Sequence, residues 1–353
     1  MLTLLLACSG GDPVDTSAVD SSSPTDTDPV QPGDSDPPDS DPPDSDPPDS
    51  DPPHTGDSGD DTAEPYVAPT DYTFSHHIGE QGSGDGQLSR PYSVALHEGT
   101  LWVLDTSNSR LQTFTPDGTW LASYGGAGTG PGEFATPKGF AVHPDGRVFV
   151  ADWDNHRIQV LDQTGTHLST FSEYGAGDGQ VDQPYGVAFD DEGLVYVTDY
   201  GNDRVQVFQD DGTFVHAFGK EGFGDGQFNN PAGVAVWGDQ VFVADVLNDR
   251  IERFALDGTF ELAWGTEGTE PGQVNDVHQL VFDRGGTLFG AEQFTYRVQS
   301  WTRDGESIAL VGERGPGDGQ LSDPFGVCVG PDGTLFIADT ANHRISVWTP
   351  TKP

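Results

Sequence analysis

From residue 71 onward, short apolar runs alternate with polar turns, and the spacing recurs. In the clearest stretch, Gly186-Val-Ala-Phe189 is a continuous apolar run, and a turn at Glu192-Gly193 leads into Leu194-Val-Tyr-Val-Thr-Asp199. After an Asn-Asp-Arg loop, Val205-Gln-Val-Phe208 alternates with period two, and a turn at Asp211-Gly212 leads into Thr213-Phe-Val-His-Ala-Phe218. Period-two alternation marks strands, and Asp-Gly supplies the positive φ that tight hairpins need. Equivalent turns stand at Asp117-Gly118, Asp145-Gly146, Asp257-Gly258, Asp304-Gly305 and Asp332-Gly333. No helical period appears, so each unit reads as four short strands.

The unit recurs six times. Val103-Leu104-Asp105, Val150-Ala151-Asp152, Val197-Thr198-Asp199, Val243-Ala244-Asp245 and Ile337-Ala338-Asp339 align. Three residues after each Asp comes Asn (108, 155, 202, 248, 342), and five after it comes Arg (110, 157, 204, 250, 344). Arg297 fits the same register, with Glu292 for Asp and Thr295 for Asn, and the Arg spacings are 47, 47, 46, 47 and 47. Repeats of this length, each a four-stranded meander, predict a β-propeller. The last repeat lacks its fourth strand, and Tyr72-Thr-Phe-Ser-His-His-Ile-Gly79 matches it. An N-terminal strand that completes the last blade leaves no open edge. The expectation is an all-β, six-bladed propeller over residues 71–350, forming one cooperative domain.

The Asp-x-x-Asn-x-Arg set recurs in every blade or nearly so. A unique active site is not needed six times, but a turn-stabilising hydrogen-bond network is. The Gly-rich loops, such as Gly222-Phe-Gly-Asp-Gly226, lack a following Lys-Ser/Thr and a following helix, so they are blade connections and not phosphate cradles. Variation between blades is more informative. The position that opens each innermost strand reads Tyr92, Lys138, Tyr185, Ala232, His278 and Phe325, a mixed ring expected at the mouth of the central channel. Blade five departs furthest, with Val277 for Pro, Gln279 for Gly, and Glu292-Gln293-Phe294-Thr295-Tyr296 in the usual turn. Departure from a local rule often marks function.

Composition divides the chain. Residues 1–70 hold 16 Asp, Glu64 and 14 prolines but no Lys or Arg, and Asp-Ser-Asp-Pro-Pro repeats through residues 34–53. Such a stretch buries nothing to offset chain entropy, and its prolines and like charges extend it. Residues 9–70 are therefore expected to be a disordered acidic linker. The whole chain carries a formal charge of -43, and residues 71–353 remain acidic. Phosphate contacts need clustered Lys and Arg, so nucleic acid is not an expected partner. The two cysteines, Cys8 and Cys328, sit in unlike contexts and imply no disulfide framework. Cys328, in Val327-Cys-Val329, reads as an inert buried thiol. No run of about 20 apolar residues is present to span a membrane.

The pattern Gly-Gln-x-x-x-Pro-x-Gly-Val-Ala-Val … Val-Ala-Asp-x-x-Asn-x-Arg, spelled almost fully by residues 226–254, resembles the NHL repeat. Asn155-His156-Arg157 and Asn342-His343-Arg344 sit in its central motif. The resemblance implies a propeller, used in that family for binding protein or RNA, for extracellular sensing and, in related sequences, as a lyase. Val277-His278-Gln279-Leu280 resembles one zinc-ligand segment of the amidating lyases, where three blades each offer such a His. The matching positions in the other blades hold Tyr, Lys, Ala or Phe, and a zinc site takes three or four ligands. No cofactor is therefore expected; zinc or calcium belongs to the alternative reading. Leu5-Leu6-Ala7-Cys8 resembles the lipobox of bacterial lipoproteins, which implies a signal segment over residues 1–8 and lipidation at Cys8.

The functional expectation is a monomeric cell-envelope scaffold or binding module, anchored at Cys8 in the outer membrane. Tyr92, Lys138, Tyr185, His278 and Phe325 are its candidate ligand ring for a protein, peptide or glycan. The alternatives are a secreted protein and a metal-assisted enzyme, lyase-like or hydrolytic. In the enzyme, the same mouth would supply His278 as ligand or base and Tyr185 or Lys138 as acid.

Overall fold

The computed structural model describes residues 66–351. Cys8, the signal segment over residues 1–8 and the linker up to residue 65 lie outside the described residues. The described chain forms six four-stranded antiparallel sheets, each a meander in chain order. The innermost strands are Pro91–His97, Gly139–Val142, Pro184–Phe189, Pro231–Trp237, Val277–Phe282 and Pro324–Val329. In blade three the remaining strands are Val195–Asp199, Arg204–Phe208 and Phe214–Phe218, within a residue or so of the bounds read from the hydrophobic pattern. Closure occurs as the repeat arithmetic requires. Tyr72–Ile78 pairs antiparallel with Arg344–Pro350, from Tyr72 opposite Pro350 to Ile78 opposite Ile345, as the outer strand of blade six.

Each sheet is covered on both faces by its neighbours, so its second strand is buried throughout, as in Val148–Asp152. That explains why these strands read as unbroken apolar runs and not as alternating ones. The core lies between the blades. Phe149, Ile158 and Val160 of blade two pack on Val187, Val195 and Val197 of blade three, and a similar cluster fills each of the other five junctions.

The repeated polar set supports the loops. Asp152 is fully buried. Its Oδ1 accepts the Ala135 N–H at 2.7 Å, and its Oδ2 accepts Asn155, Arg157 and Gln159 at 2.8, 2.8 and 3.0 Å. Arg157 then donates to the carbonyls of Thr129, Gly130 and Glu133, tying down the Gly-rich connection. Glu292 does the same in blade five, accepting Thr295 at 2.7 Å, Arg297 at 3.1 Å and Gln299 at 2.7 Å.

The residue between Asn and Arg adopts the left-handed conformation, as at His156 (φ 51) and His343 (φ 57), and reaches across to the next blade. Nδ1 of His343 accepts the Arg90 N–H and Nδ1 of His156 accepts the Gln183 N–H, each at 3.1 Å. Asp203 and Asp249 accept the N–H groups of Asn230 and Asp276 in the same way, at 2.7 and 3.3 Å. The motif histidines are thus latches between blades.

Candidate functional site

The innermost strands crowd together around the channel. A Cβ on Gly139, Gly186, Gly233 or Gly326 would lie 2.2, 2.5, 2.0 or 2.6 Å from the carbonyl oxygen of the ring residue in the next blade (Tyr185, Ala232, His278 and Tyr92). Glycine is therefore required by close backbone approach, and that approach brings the six ring positions together.

All five proposed ligand residues meet at one mouth and touch in sequence. Lys138 Nζ stands 3.9 Å from the centroid of the Tyr92 ring. Tyr92 stacks on Phe325 at 4.2 Å, Phe325 meets His278 at 4.3 Å, and His278 lies along Tyr185 at 5.5 Å. Ala232, fully buried, packs against Tyr185 with Val246. Two residues that sequence reasoning passed over complete the belt. Trp153 meets Tyr185 edge-on at 5.6 Å and Tyr200 at 4.8 Å, and it lies 5.4 Å from Lys138 Nζ. They occupy the position just after the strand-ending Asp, which reads Thr106, Trp153, Tyr200, Val246, Gln293 and Thr340. Its variability was the available signal.

Tyr185, His278 and Phe325 are buried, whereas Tyr92, Lys138, Trp153 and Tyr200 are partly exposed. Beneath the belt remains a cavity of about 40 Å³, room for a few waters at most. A ligand taken at this end rests on the belt and does not sink below it.

The buried members form a polar line. Tyr185 Oη lies 2.9 Å from His278 Nδ1, and His278 Nε2 lies 3.3 Å from both Asp276 Oδ2 and Gln293 Oε1. Burial, reinforced by Tyr92, Asp276 and Tyr200, pushes the Tyr185 phenol well above its ordinary range. The phenol therefore stays protonated and donates to Nδ1. This places the ring proton on Nε2, facing the carboxylate and the amide oxygen. Among the described residues no group of three or more His, Cys, Asp or Glu is arranged to hold a metal ion. Cys328 is buried in the blade six–blade one core, and burial raises its thiol far above the ordinary range.

The NHL-repeat family model matches residues 134–161, 182–208 and 321–348, in blades two, three and six. Over 103 residues the chain is 33% identical to NHL repeat-containing protein 3 of Mus musculus, covering 25% of this chain and 28% of that protein. Over 46 residues it is 41% identical to protein lin-41 of Caenorhabditis elegans, covering 13% of this chain and 4% of that protein. The chain thus spans less than a third of these relatives' length. Among solved structures, a streptogramin B lyase superposes with a TM-score of 0.55 at 14% identity, covering 79% of this chain and 98% of the other. A catalytically inactive virginiamycin B lyase from Staphylococcus aureus with quinupristin gives 0.52 at 15%, covering 74% and 80%. A Bacteroides thetaiotaomicron protein of unknown function gives 0.59 at 15%, covering 78% and 75%. At these identities the likeness is one of fold. The chain is a six-bladed β-propeller that carries NHL repeats.

Proposed function

We propose that this propeller is a recognition disc that takes a protein, peptide or glycan on the aromatic belt around its channel mouth. The observation that carries the reading is the contrast within each blade. The recurring polar residues are consumed in holding loops, while the ring position, which changes from each blade to the next, converges on a partly exposed surface of aromatics and Lys138. Stacking faces beside a cation suit planar or sugar surfaces that carry hydrogen-bond acceptors. NHL propellers commonly mediate protein interactions, which agrees with this use.

The reading extends to the rest of the chain. Cys8 is the lipid anchor and residues 9–70 the spacer of a monomeric, extracytoplasmic protein of the cell envelope, held in the outer membrane. Support comes from the lipobox-like Leu5-Leu6-Ala7-Cys8 and the acidic proline repeats. Tyr66 Oη donates to Asp283 Oδ2 at 2.5 Å, in the turn that ends the inner strand of blade five. His278 opens that same strand, so the N-terminal lead sits on the face opposite the belt. Globomycin-sensitive labelling of the full chain with a fatty-acid analogue, abolished by Cys8→Ala, tests the anchor; unlabelled protein contradicts it.

The test of the site is a glycan and peptide array probed with the wild-type chain and with Lys138→Ala/His278→Ala. Ligands held by the wild type are lost in the double variant at equal thermal stability. Retained affinity contradicts the site. A second reading is favoured by one feature, the Tyr185–His278–Asp276 line, which is an acid–base relay. If the mouth is an enzyme site, Tyr185→Phe removes turnover of a lyase or hydrolase substrate. A metal-assisted version further requires about one zinc or calcium per purified chain, absent from His278→Ala.

A further inference from the structure

The channel is not symmetric. At the end opposite the belt it opens into a cavity of about 490 Å³ lined by all six inner strands. One position in every blade contributes to its wall: Leu96, Val142, Phe189, Val236, Phe282 and Val329. Every one of these side chains is apolar and partly exposed. The volume lies within the usual range for small-molecule sites, which are concave and mostly apolar. The cavity is blind, because the belt closes the channel beyond it. Gln279 stands between the two spaces and lines both. Its Nε2 donates to the Val94 carbonyl at 3.2 Å, and its buried Oε1 has no partner among the described residues.

The lip of this cavity has one sign of charge. Asp190 and Asp191 line it, and no Lys or Arg does. Asp190 is held by the Glu192 and Leu194 N–H groups and the Tyr196 hydroxyl, whereas exposed Asp191 has no ion pair among the described residues. The bases in the neighbouring turns are occupied. Arg147 pairs with Asp145 and Asp210, both at 2.8 Å, and Arg284 lies over Tyr66. An apolar blind cavity with an acidic lip selects both parts of one kind of molecule.

We propose that the wide end of the channel binds a small amphipathic cation, its apolar body among the six wall residues and its ammonium or guanidinium group at Asp190 and Asp191. This site is separate from the aromatic belt and does not depend on the reading given for it.

The probe is decyltrimethylammonium, titrated below its micellar concentration into the full chain and followed by calorimetry and by intrinsic tryptophan fluorescence, to which Trp237 in the cavity wall contributes. Decyl sulfate and tetramethylammonium are the controls. Saturable one-to-one binding of the decyl cation is expected, with the two controls binding at least about tenfold more weakly. Val236→Trp, which fills the cavity, weakens the decyl cation about tenfold in protein whose thermal transition is unchanged. Asp191→Asn, a surface change that leaves the fold alone, weakens it about threefold at low salt, and the difference closes at high salt. Three results overturn the proposal: no saturable binding of the decyl cation, equal binding of decyl sulfate, or affinity unmoved by Asp191→Asn at low salt.

Discussion

Within each blade two positions a few residues apart behave in opposite ways. The Asp that ends the second strand is the same in five blades and is replaced by Glu292 in blade five, and its partners repeat at nearly the same distances, 2.7 to 2.8 Å for the Arg Nε in the five Asp blades. The residue that opens the innermost strand is never shared by neighbours and alternates among aromatic, cationic, small and imidazole side chains. Both sets are polar or aromatic and both lie at the loop-bearing face, so composition does not separate them. Geometry does. The first set points inward to backbone groups that would otherwise be orphaned, and the second points into a common mouth. In this propeller the unvarying Asp and its partners hold the loops, and the proposed belt is built where the blades disagree.

Substitutions can break that comparison at either end. The largest effect is expected from Asp152→Ala, which takes from the Ala135 N–H, the Asn155 amide, the Arg157 Nε and the Gln159 amide the buried carboxylate they share. Leaving buried charged and polar partners unpaired costs about 3–5 kcal/mol, a fall of about 5–9 °C in Tm for a domain of roughly 280 residues. The belt's ligand binding should survive in the protein that remains folded.

Gly233→Ala comes next, because its Cβ would meet the His278 carbonyl oxygen at 2.0 Å. Overpacking of this kind costs about 1–3 kcal/mol. It should also displace His278 and so weaken ligand binding, in contrast to Asp152→Ala.

Glu252 stands where blades one, two, three and five have Gln, and offers a pH-dependent test. In those blades the Gln Nε2 donates to a loop carbonyl, as Gln159 does to Glu133 at 2.6 Å. Glu252 Oε1 accepts the Gly226 N–H, but its buried Oε2 is unpartnered among the described residues. Desolvation, opposed by Arg250, pushes its carboxyl up to about 7. A raised folded-state pKa means that the stability Glu252 contributes is full below about 4.5, its ordinary value, and is lost as pH rises through about 7. Glu252→Gln should therefore stabilise the domain by about 1–2 kcal/mol above pH 7, with a gap that shrinks toward pH 4.5. Thermal melts across that range check it; a pH-independent difference contradicts it.

The smallest expected change is Tyr185→Phe, which removes one hydrogen bond to His278 Nδ1 at a cost of about 1 kcal/mol. Loss of ligand binding in this variant, out of proportion to that cost, would sharpen the assignment of the belt.

Much of this was legible in the sequence. The Arg spacing and the Asp-Gly turns carry the blades, and Tyr72–Ile78 carries the closure, because strand period and turn chemistry are local properties. The ring of Tyr92, Lys138, Tyr185, Ala232, His278 and Phe325 followed from aligning the repeats on their inner strands. Trp153 and Tyr200 did not. Their place at the mouth depends on the 3-10 turn after each Asp folding back toward the channel. Residues 66–70 fall within the expected linker, yet Tyr66 reaches Asp283, 217 positions away, and Pro69 lies against Gly333. The meaning of Glu252 was hidden too, because only the donors on Gln112, Gln159, Gln206 and Gln299 reveal what a carboxyl there lacks. The wide end of the channel was invisible because Val142 or Val236 reads as core until the space between six blades is seen.

On the proposed function, the belt recognises a ligand while the repeated network only supports it. The most direct measurement sets three proteins side by side on one glycan and peptide array: wild type, Lys138→Ala/His278→Ala and Glu252→Gln. The account predicts shared ligands for wild type and Glu252→Gln and none of them for the double variant, with all three folded at the assay temperature. Ligands kept by the folded double variant would contradict it.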